Sequence, residues 1–199
     1  MASVAEGPPS LAPGDSGDSA ELADLIRTRS FKTGNFTLAS GKSSTLYFNM
    51  KPTMMHPRGA ELSARALLRI ARALAVDHVS GLEMGAVPLI GAMAAISSAD
   101  GRPLSTGFVR KKAKGHGTND VVEGLAPGET LAGKSVLVID DVATSGGSIL
   151  QAIERIREAG GTVEHAACLV DRNEGGAELL AAHGVQLHSV LTAADIARG

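Results

Sequence analysis

The sequence predicts an α/β fold in which a central parallel sheet is flanked by helices. Three observations predict it. From Pro57 onward, apolar β-type runs alternate with segments of helical periodicity. The run at 136–139 is wholly apolar, as expected of a strand buried on both faces. The connections are short, which implies right-handed βαβ units. A chain of 199 residues, 44% hydrophobic, suffices for one domain whose core needs no disulfide or structural metal. Cys168 is the sole cysteine, which rules out an internal disulfide and suits a reducing compartment.

Residues 1–17 are rich in Pro, Gly and Ser and short of large apolar groups. Such a stretch cannot bury enough surface to offset its ordering entropy, so a disordered tail is expected. Residues 18–199 are expected to form a single domain. Asp18 followed by Glu21 reads as a capping box, with Leu22, Leu25 and Ile26 at helical spacing behind it. Short β-type runs at 36–38 and 45–50 surround the polar break Ser40-Gly41-Lys42-Ser43, which predicts a hairpin. Four of the five aromatic residues, Phe31, Phe36, Tyr47 and Phe48, fall in this opening segment. They serve either a small satellite core or a wall for a planar ligand. Clustering alone favours packing, the commoner use.

Leu62, Leu67, Ile70 and Leu74 mark a helix, followed by a strand over 79–82 and a buried helix over 87–96. Residues 104–109 read as one strand. Beyond the run at 136–139, Ile149, Ile153 and Ile156 form a helical stripe that ends before Gly160-Gly161, a C-cap signal. A strand over 163–170, a helix over 177–182 and a strand over 185–191 complete the alternation. No internal repeat is present.

Lys plus Arg total 19 against Asp plus Glu 21, a formal net charge of −2. That balance argues against nucleic acid or anionic lipid as the main partner. The longest weakly polar run, 84–96, falls short of the roughly 20 residues that span a bilayer, and Gly85, Pro88 and Gly91 interrupt it. Residues 1–18 lack the basic start of a secretory signal. A cytoplasmic location without membrane attachment is expected.

The densest chemical signal is residues 136–148. An apolar strand delivers Asp140 and Asp141 at its C-terminal end, followed by Val142, Ala143, Thr144, Ser145, Gly146, Gly147 and Ser148 and then a helix. In open α/β sheets, ligands bind beyond the carboxyl ends of strands. A helix N-terminus offers N–H donors and a positive dipole end to an anion. The glycines let the backbone approach a phosphate, and the hydroxyls add donors. Two carboxylates beside a phosphate cradle require a ligand that also presents hydroxyls, a metal or developing positive charge. A ribose 5-phosphate with a free diol meets that requirement. No Lys follows the glycines, so this is not a P-loop, nor is it G-x-G-x-x-G.

This unit resembles the phosphoribosyl pyrophosphate signature of the type I phosphoribosyltransferases. Two further segments narrow the resemblance. Arg110-Lys111-Lys112-Ala113-Lys114-Gly115-His116-Gly117 is poor core material and good lid material, able to bring cations onto a polyanion. Its R-K-x-x-K-x-H-G pattern is similar to the mobile loop of the orotate phosphoribosyltransferases. Phe36-Thr37-Leu38-Ala39-Ser40-Gly41-Lys42-Ser43-Ser44 with Tyr47-Phe48-Asn49 resembles the hood of the same family, here about 18–56. Asp171-Arg172 matches its late D-R.

The resemblance implies a type I phosphoribosyltransferase fold with a small N-terminal hood. It implies transfer of ribose 5-phosphate from phosphoribosyl pyrophosphate to N1 of orotate, a step of pyrimidine and UMP biosynthesis. Asp140, Asp141 and Lys114 are the implied catalytic residues. Arg110, Lys111, Lys114 and His116 are implied to join residues 140–148 on phosphoribosyl pyrophosphate. Thr144, Arg172, Tyr47 and Phe48 are implied to meet orotate, Arg172 through its carboxylate, for which an Arg fork is geometrically suited. A homodimer sharing the 110–116 loop across subunits is implied. Mg²⁺ is expected to travel on the substrate phosphates without direct protein ligands, and no His/Cys spacing suggests zinc. Two cationic phosphate contacts of some members are absent, at Ala39 and at Met84-Gly85. Lys51 either replaces one of them or is a plain surface lysine. Cys168, among apolar neighbours, is expected to pack rather than react. Two alternatives stand beside this reading: a purine-type phosphoribosyltransferase, and a non-catalytic phosphoribosyl pyrophosphate-sensing regulator.

Overall fold

The computed structural model describes residues 16–37, 43–112 and 122–198. Helix α1 (Ser16–Arg29) leads into strand β1 (Phe31–Thr37), which pairs antiparallel with β2 (Ser43–Phe48). This is the expected hairpin; its break at 38–42 lies outside the described residues, as does 1–15 of the tail expected over 1–17, whereas Ser16 and Gly17 already belong to α1, so order begins two residues earlier than expected. The capping box is not formed. Asp18 lies inside α1, and both its carboxylate and that of Glu21 turn to Arg58, at 3.4 Å and 2.7 Å. The same residue pattern serves a helix-to-helix ion cluster instead of a cap. Leu22 and Ile26 are buried as their spacing requires.

A short helix α2 (Lys51–Met54) precedes α3 (Pro57–Ala73), β3 (His78–Ser80) and α4 (Val87–Ala99). The single strand expected over 104–109 is two strands. Strand β4 (Ser105–Thr106) joins the main sheet, while β5 (Phe108–Val109) pairs antiparallel with β6 (Val122–Glu123). The division falls at Gly107, where a Cβ would stand 2.6 Å from the Glu123 carbonyl oxygen and 3.2 Å from His78 Nε2. Only a residue without a side chain admits that crossing.

Strand β7 (Ser135–Ala143), helix α5 (Gly147–Glu158), strand β8 (Thr162–Asp171), helix α6 (Gly176–Ala182), strand β9 (Gln186–Thr192) and helix α7 (Ala193–Ala197) complete the chain. The five-stranded sheet runs β4-β3-β7-β8-β9, parallel at every pairing. Alternation along central β7 explains its uninterrupted apolar run. Leu137 and Ile139 enter one core with α1, α3 and α4; Val136 and Val138 enter the other with α5 and α6. Burying a leucine or isoleucine there contributes roughly 1.5–3 kcal/mol. Cys168 belongs to the second core, and burial pushes its thiol pKa up, which suits a packing role. No helix among the described residues is long and apolar enough to cross a membrane.

His78 starts β3 fully buried, its Nδ1 2.9 Å from Ser105 Oγ, and burial pulls its pKa from 6.5 down to about 4. The folded imidazole refuses a proton that the unfolded one accepts below 6.5. Stability is therefore lost as pH falls from about 6.5 toward 4, by roughly 3 kcal/mol at the lower end. Urea unfolding across this window should show a flatter pH dependence in His78→Gln than in the parent chain. Equal slopes would remove His78 as the source.

Candidate active site

The site forms where two loops meet at the carboxyl ends of β3 and β7. Beyond β7, residues 142–149 with Asp140 line a concave cup of about 80 Å³. Gly146 caps α5 in a left-handed conformation, φ +79°, with no side-chain cap on the first turn. A Cβ there would lie 3.1 Å from the Gly176 carbonyl oxygen, and one on Gly176 would lie 3.0 Å from that of Thr144. The start of α6 thus presses the loop into shape through two side-chain-free surfaces. Ser145, Gly147 and Ser148 face solvent at the cup, and Gly147 has open space around it. The first-turn N–H groups of α5 and these hydroxyls suit a phosphate.

Asp140 lines the floor with Asp141 next to it; both are still within β7, and Asp140 pairs with Cys168 of β8. Asp140 is 8% exposed. Its Oδ1 accepts from the Asp141 N–H at 3.0 Å, and Asp141 Oδ1 accepts from Val142 N–H at 2.9 Å. Burial, and for Asp140 the neighbouring carboxylate, raise both pKa values. The loop after β3 closes over them. A Cβ on Gly85 would sit 2.8 Å from Asp140 Oδ1 and 2.9 Å from Asp141 Oδ1. Its backbone therefore touches both acids, a contact that no sequence spacing announces.

Cations surround this floor. Lys111 acts electrostatically on Asp140 and Lys51 on Asp141, each opposing the upward shift. The Lys111 N–H donates to Glu83 Oε1 at 2.9 Å, tying the basic loop to the loop after β3. Arg110 Nη1 donates to Glu123 Oε1 at 3.4 Å, across the β5–β6 ribbon. Lys114 and His116 lie outside the described residues.

The hood supplies the remaining wall. Phe48 packs on Phe31, ring centroids 5.0 Å apart, and its ring lies 5.9 Å from the Arg172 guanidinium carbon. The structure thus brings Phe48 and Arg172 together. Tyr47 stacks on Phe36 at 5.2 Å, is 39% exposed, and is not brought to Arg172. Successive strand residues point to opposite faces, which separates the two aromatics. The Arg172 N–H donates to the Ala143 carbonyl at 3.0 Å, fixing it beside Thr144. Glu174 Oε1 accepts from Arg172 Nη2 at 2.6 Å. Glu174 and Glu83 were invisible in the sequence, because each acts only through a chain reversal or a neighbouring loop.

A Phosphoribosyl transferase domain model matches residues 55–189. An orotate phosphoribosyltransferase of Rhodopseudomonas palustris is 50% identical over 176 residues, covering 88% of this chain and 94% of the relative. The chain belongs to the orotate phosphoribosyltransferase family. Among solved structures, orotate phosphoribosyltransferase of Mycobacterium tuberculosis H37Rv in complex with Fe(III) dicitrate superposes with a TM-score of 0.77. It is 37% identical and covers 90% of this chain and 98% of its own. The same enzyme in complex with 5-phospho-alpha-D-ribosyl 1-diphosphate gives 0.74 at 34% identity, covering 90% and 99%. The type I phosphoribosyltransferase fold expected from the sequence is the fold of this family member.

Gly146→Ala should distort the cup, costing about 1–3 kcal/mol of stability through the left-handed backbone and the Gly176 contact. Thermal unfolding measures it, and an unchanged midpoint would contradict the packing described. Asp140→Asn keeps the Oδ1 acceptor and removes a buried charge. A carboxyl with a raised folded pKa is a stability cost that grows as pH rises above its unfolded value of 3.8. The variant should therefore be more stable than the parent at pH 7.5, on the order of 1 kcal/mol or more, with the difference vanishing near pH 4.

Proposed function

We propose that this chain is an orotate phosphoribosyltransferase, moving ribose 5-phosphate from phosphoribosyl pyrophosphate to N1 of orotate. Orotidine 5′-monophosphate and pyrophosphate are the products. The observation that carries this reading is the adjacency, at the carboxyl end of β7, of a phosphate cup, an acid pair and the Arg172–Phe48 pair. The cup suits the 5′-phosphate, the acids a ribose diol, and the Arg–aromatic pair a planar base bearing a carboxylate. A purine base lacks that carboxylate, so this pair favours orotate over the purine reading.

In the reaction the bond between ribose C1 and the pyrophosphate oxygen breaks, and the bond from C1 to orotate N1 forms. Orotate reacts as an anion, so no side chain need remove a proton at that moment. Positive charge grows on the ribose ring, and Asp140 and Asp141 favour it through the 2′- and 3′-hydroxyls. Negative charge grows on pyrophosphate, and Arg110, Lys111, Lys114 and His116 favour its departure. Thr144 to Ser148 hold the phosphate end still, which makes attack effectively intramolecular.

Asp140 and Asp141 are hard oxygen donors, yet among the described residues no third metal-ligating group joins them. Asp140 and Asp141 would therefore hold Mg²⁺ only together with the substrate phosphates, and when bound it would supply charge neutralisation on the pyrophosphate. The family resemblance supports a homodimer whose 110–116 loops serve the neighbouring site, working in the cytoplasm.

Mixing the protein with orotate, phosphoribosyl pyrophosphate and Mg²⁺ should bleach orotate's near-ultraviolet absorbance. A chelator should stop the loss, and pyrophosphate plus product should reverse it. Lys114→Ala should lower kcat by about 10²–10³-fold with unchanged folding. A folded protein that binds phosphoribosyl pyrophosphate but spares orotate would overturn the assignment; near-normal turnover in Lys114→Ala would remove that residue alone.

A further inference from the structure

Glu174 makes a short polar contact to Arg172, 2.6 Å from Oε1 to Nη2. A tight reversal creates the contact. The Asn173 N–H donates to Asp171 Oδ1 at 2.8 Å, Asn173 adopts φ +53° and Gly175 φ +93°. The chain leaving β8 thereby folds Glu174 back over the guanidinium before α6 begins. The two partners differ in freedom. The Arg172 side chain is 5% exposed, wedged against Phe48 and anchored by its backbone to Ala143, whereas that of Glu174 is 42% exposed. The cation is fixed, and the carboxylate has water to turn into.

A carboxylate of the chain and a carboxylate on a planar base offer a guanidinium the same chemistry. Nη2 cannot give its short bond to both in the same geometry. We propose that Glu174 is a displaceable internal stand-in for the substrate carboxylate. It occupies Nη2 while the site is empty, yields when the base arrives, and returns as the product leaves. This rests on the reading that Arg172 receives the carboxylate of orotate. Glu174 is a positioning residue: it acts through Arg172, tempering affinity for ligands that carry the carboxylate and leaving others untouched.

The test is equilibrium binding of orotidine 5′-monophosphate and of uridine 5′-monophosphate, which lacks the carboxylate, to the parent, Glu174→Gln, Glu174→Ala and Arg172→Gln. Glu174→Gln and Glu174→Ala should tighten orotidine 5′-monophosphate about two- to fivefold, as expected for loss of a half-exposed competing ion pair. Uridine 5′-monophosphate should bind the parent and both Glu174 variants alike, which also reports their correct folding. Arg172→Gln should abolish the preference for the carboxylated nucleotide. Unchanged or weakened orotidine 5′-monophosphate binding in both Glu174 variants, with the Arg172→Gln effect intact, would overturn the stand-in alone. A preference that survives Arg172→Gln would overturn the reading beneath it.

Discussion

Two adjacent carboxylates buried at the end of the central strand are the constraint on which this molecule is organised. Asp140 is buried and Asp141 partly buried at the carboxyl end of β7, so each loses hydration, and Asp140 also bears its neighbour's repulsion. Such an arrangement costs folding free energy unless something offsets it. The offsets are visible. Backbone N–H groups of residues 141 and 142 donate to the acids, and Lys51 and Lys111 place positive charge within electrostatic reach. The residual demand is what a ligand bearing hydroxyls and carrying a cation would satisfy.

The surrounding backbone follows from this floor. Gly85 must lack a Cβ, since one would strike both carboxylates. Gly146 and Gly176 must meet without side chains for the cup to close against α6. Arg172 then stands beside Thr144 because β8 runs in register with β7 to its last residues and donates back to Ala143. Arg172 and the cup are thus parts of one strand pair. The hood completes the cleft from far upstream, with Phe48 laid against Arg172.

The β7 unit was legible because burial on both faces forces an apolar run, and the acid–hydroxyl–glycine string after it has few other uses. Helix stripes such as Ile149, Ile153 and Ile156 were legible for the same reason. What escaped depends on long-range packing. The division of 104–109 at Gly107 reflects the Glu123 carbonyl and His78 crowding that point. Asp18 and Glu21 read as a cap, yet the structure turns them to Arg58, a partner that no local pattern identifies. Helices α2 and α7 are too short for periodicity to reveal, although α7 carries a true capping box between Thr192 and Asp195. Alternation put Tyr47 and Phe48 on different faces, a distinction that their shared resemblance to the hood motif had merged.

The most direct measurement is a pH titration of the aspartate carboxyl ¹³C resonances in the ligand-free protein, assigned with Asp140→Asn and Asp141→Asn. The account predicts that at least one carboxyl of this pair titrates far above the ordinary aspartate range, and that removing Asp141 lowers the pKa of Asp140. Two ordinary carboxylates, each indifferent to the loss of its neighbour, would contradict it.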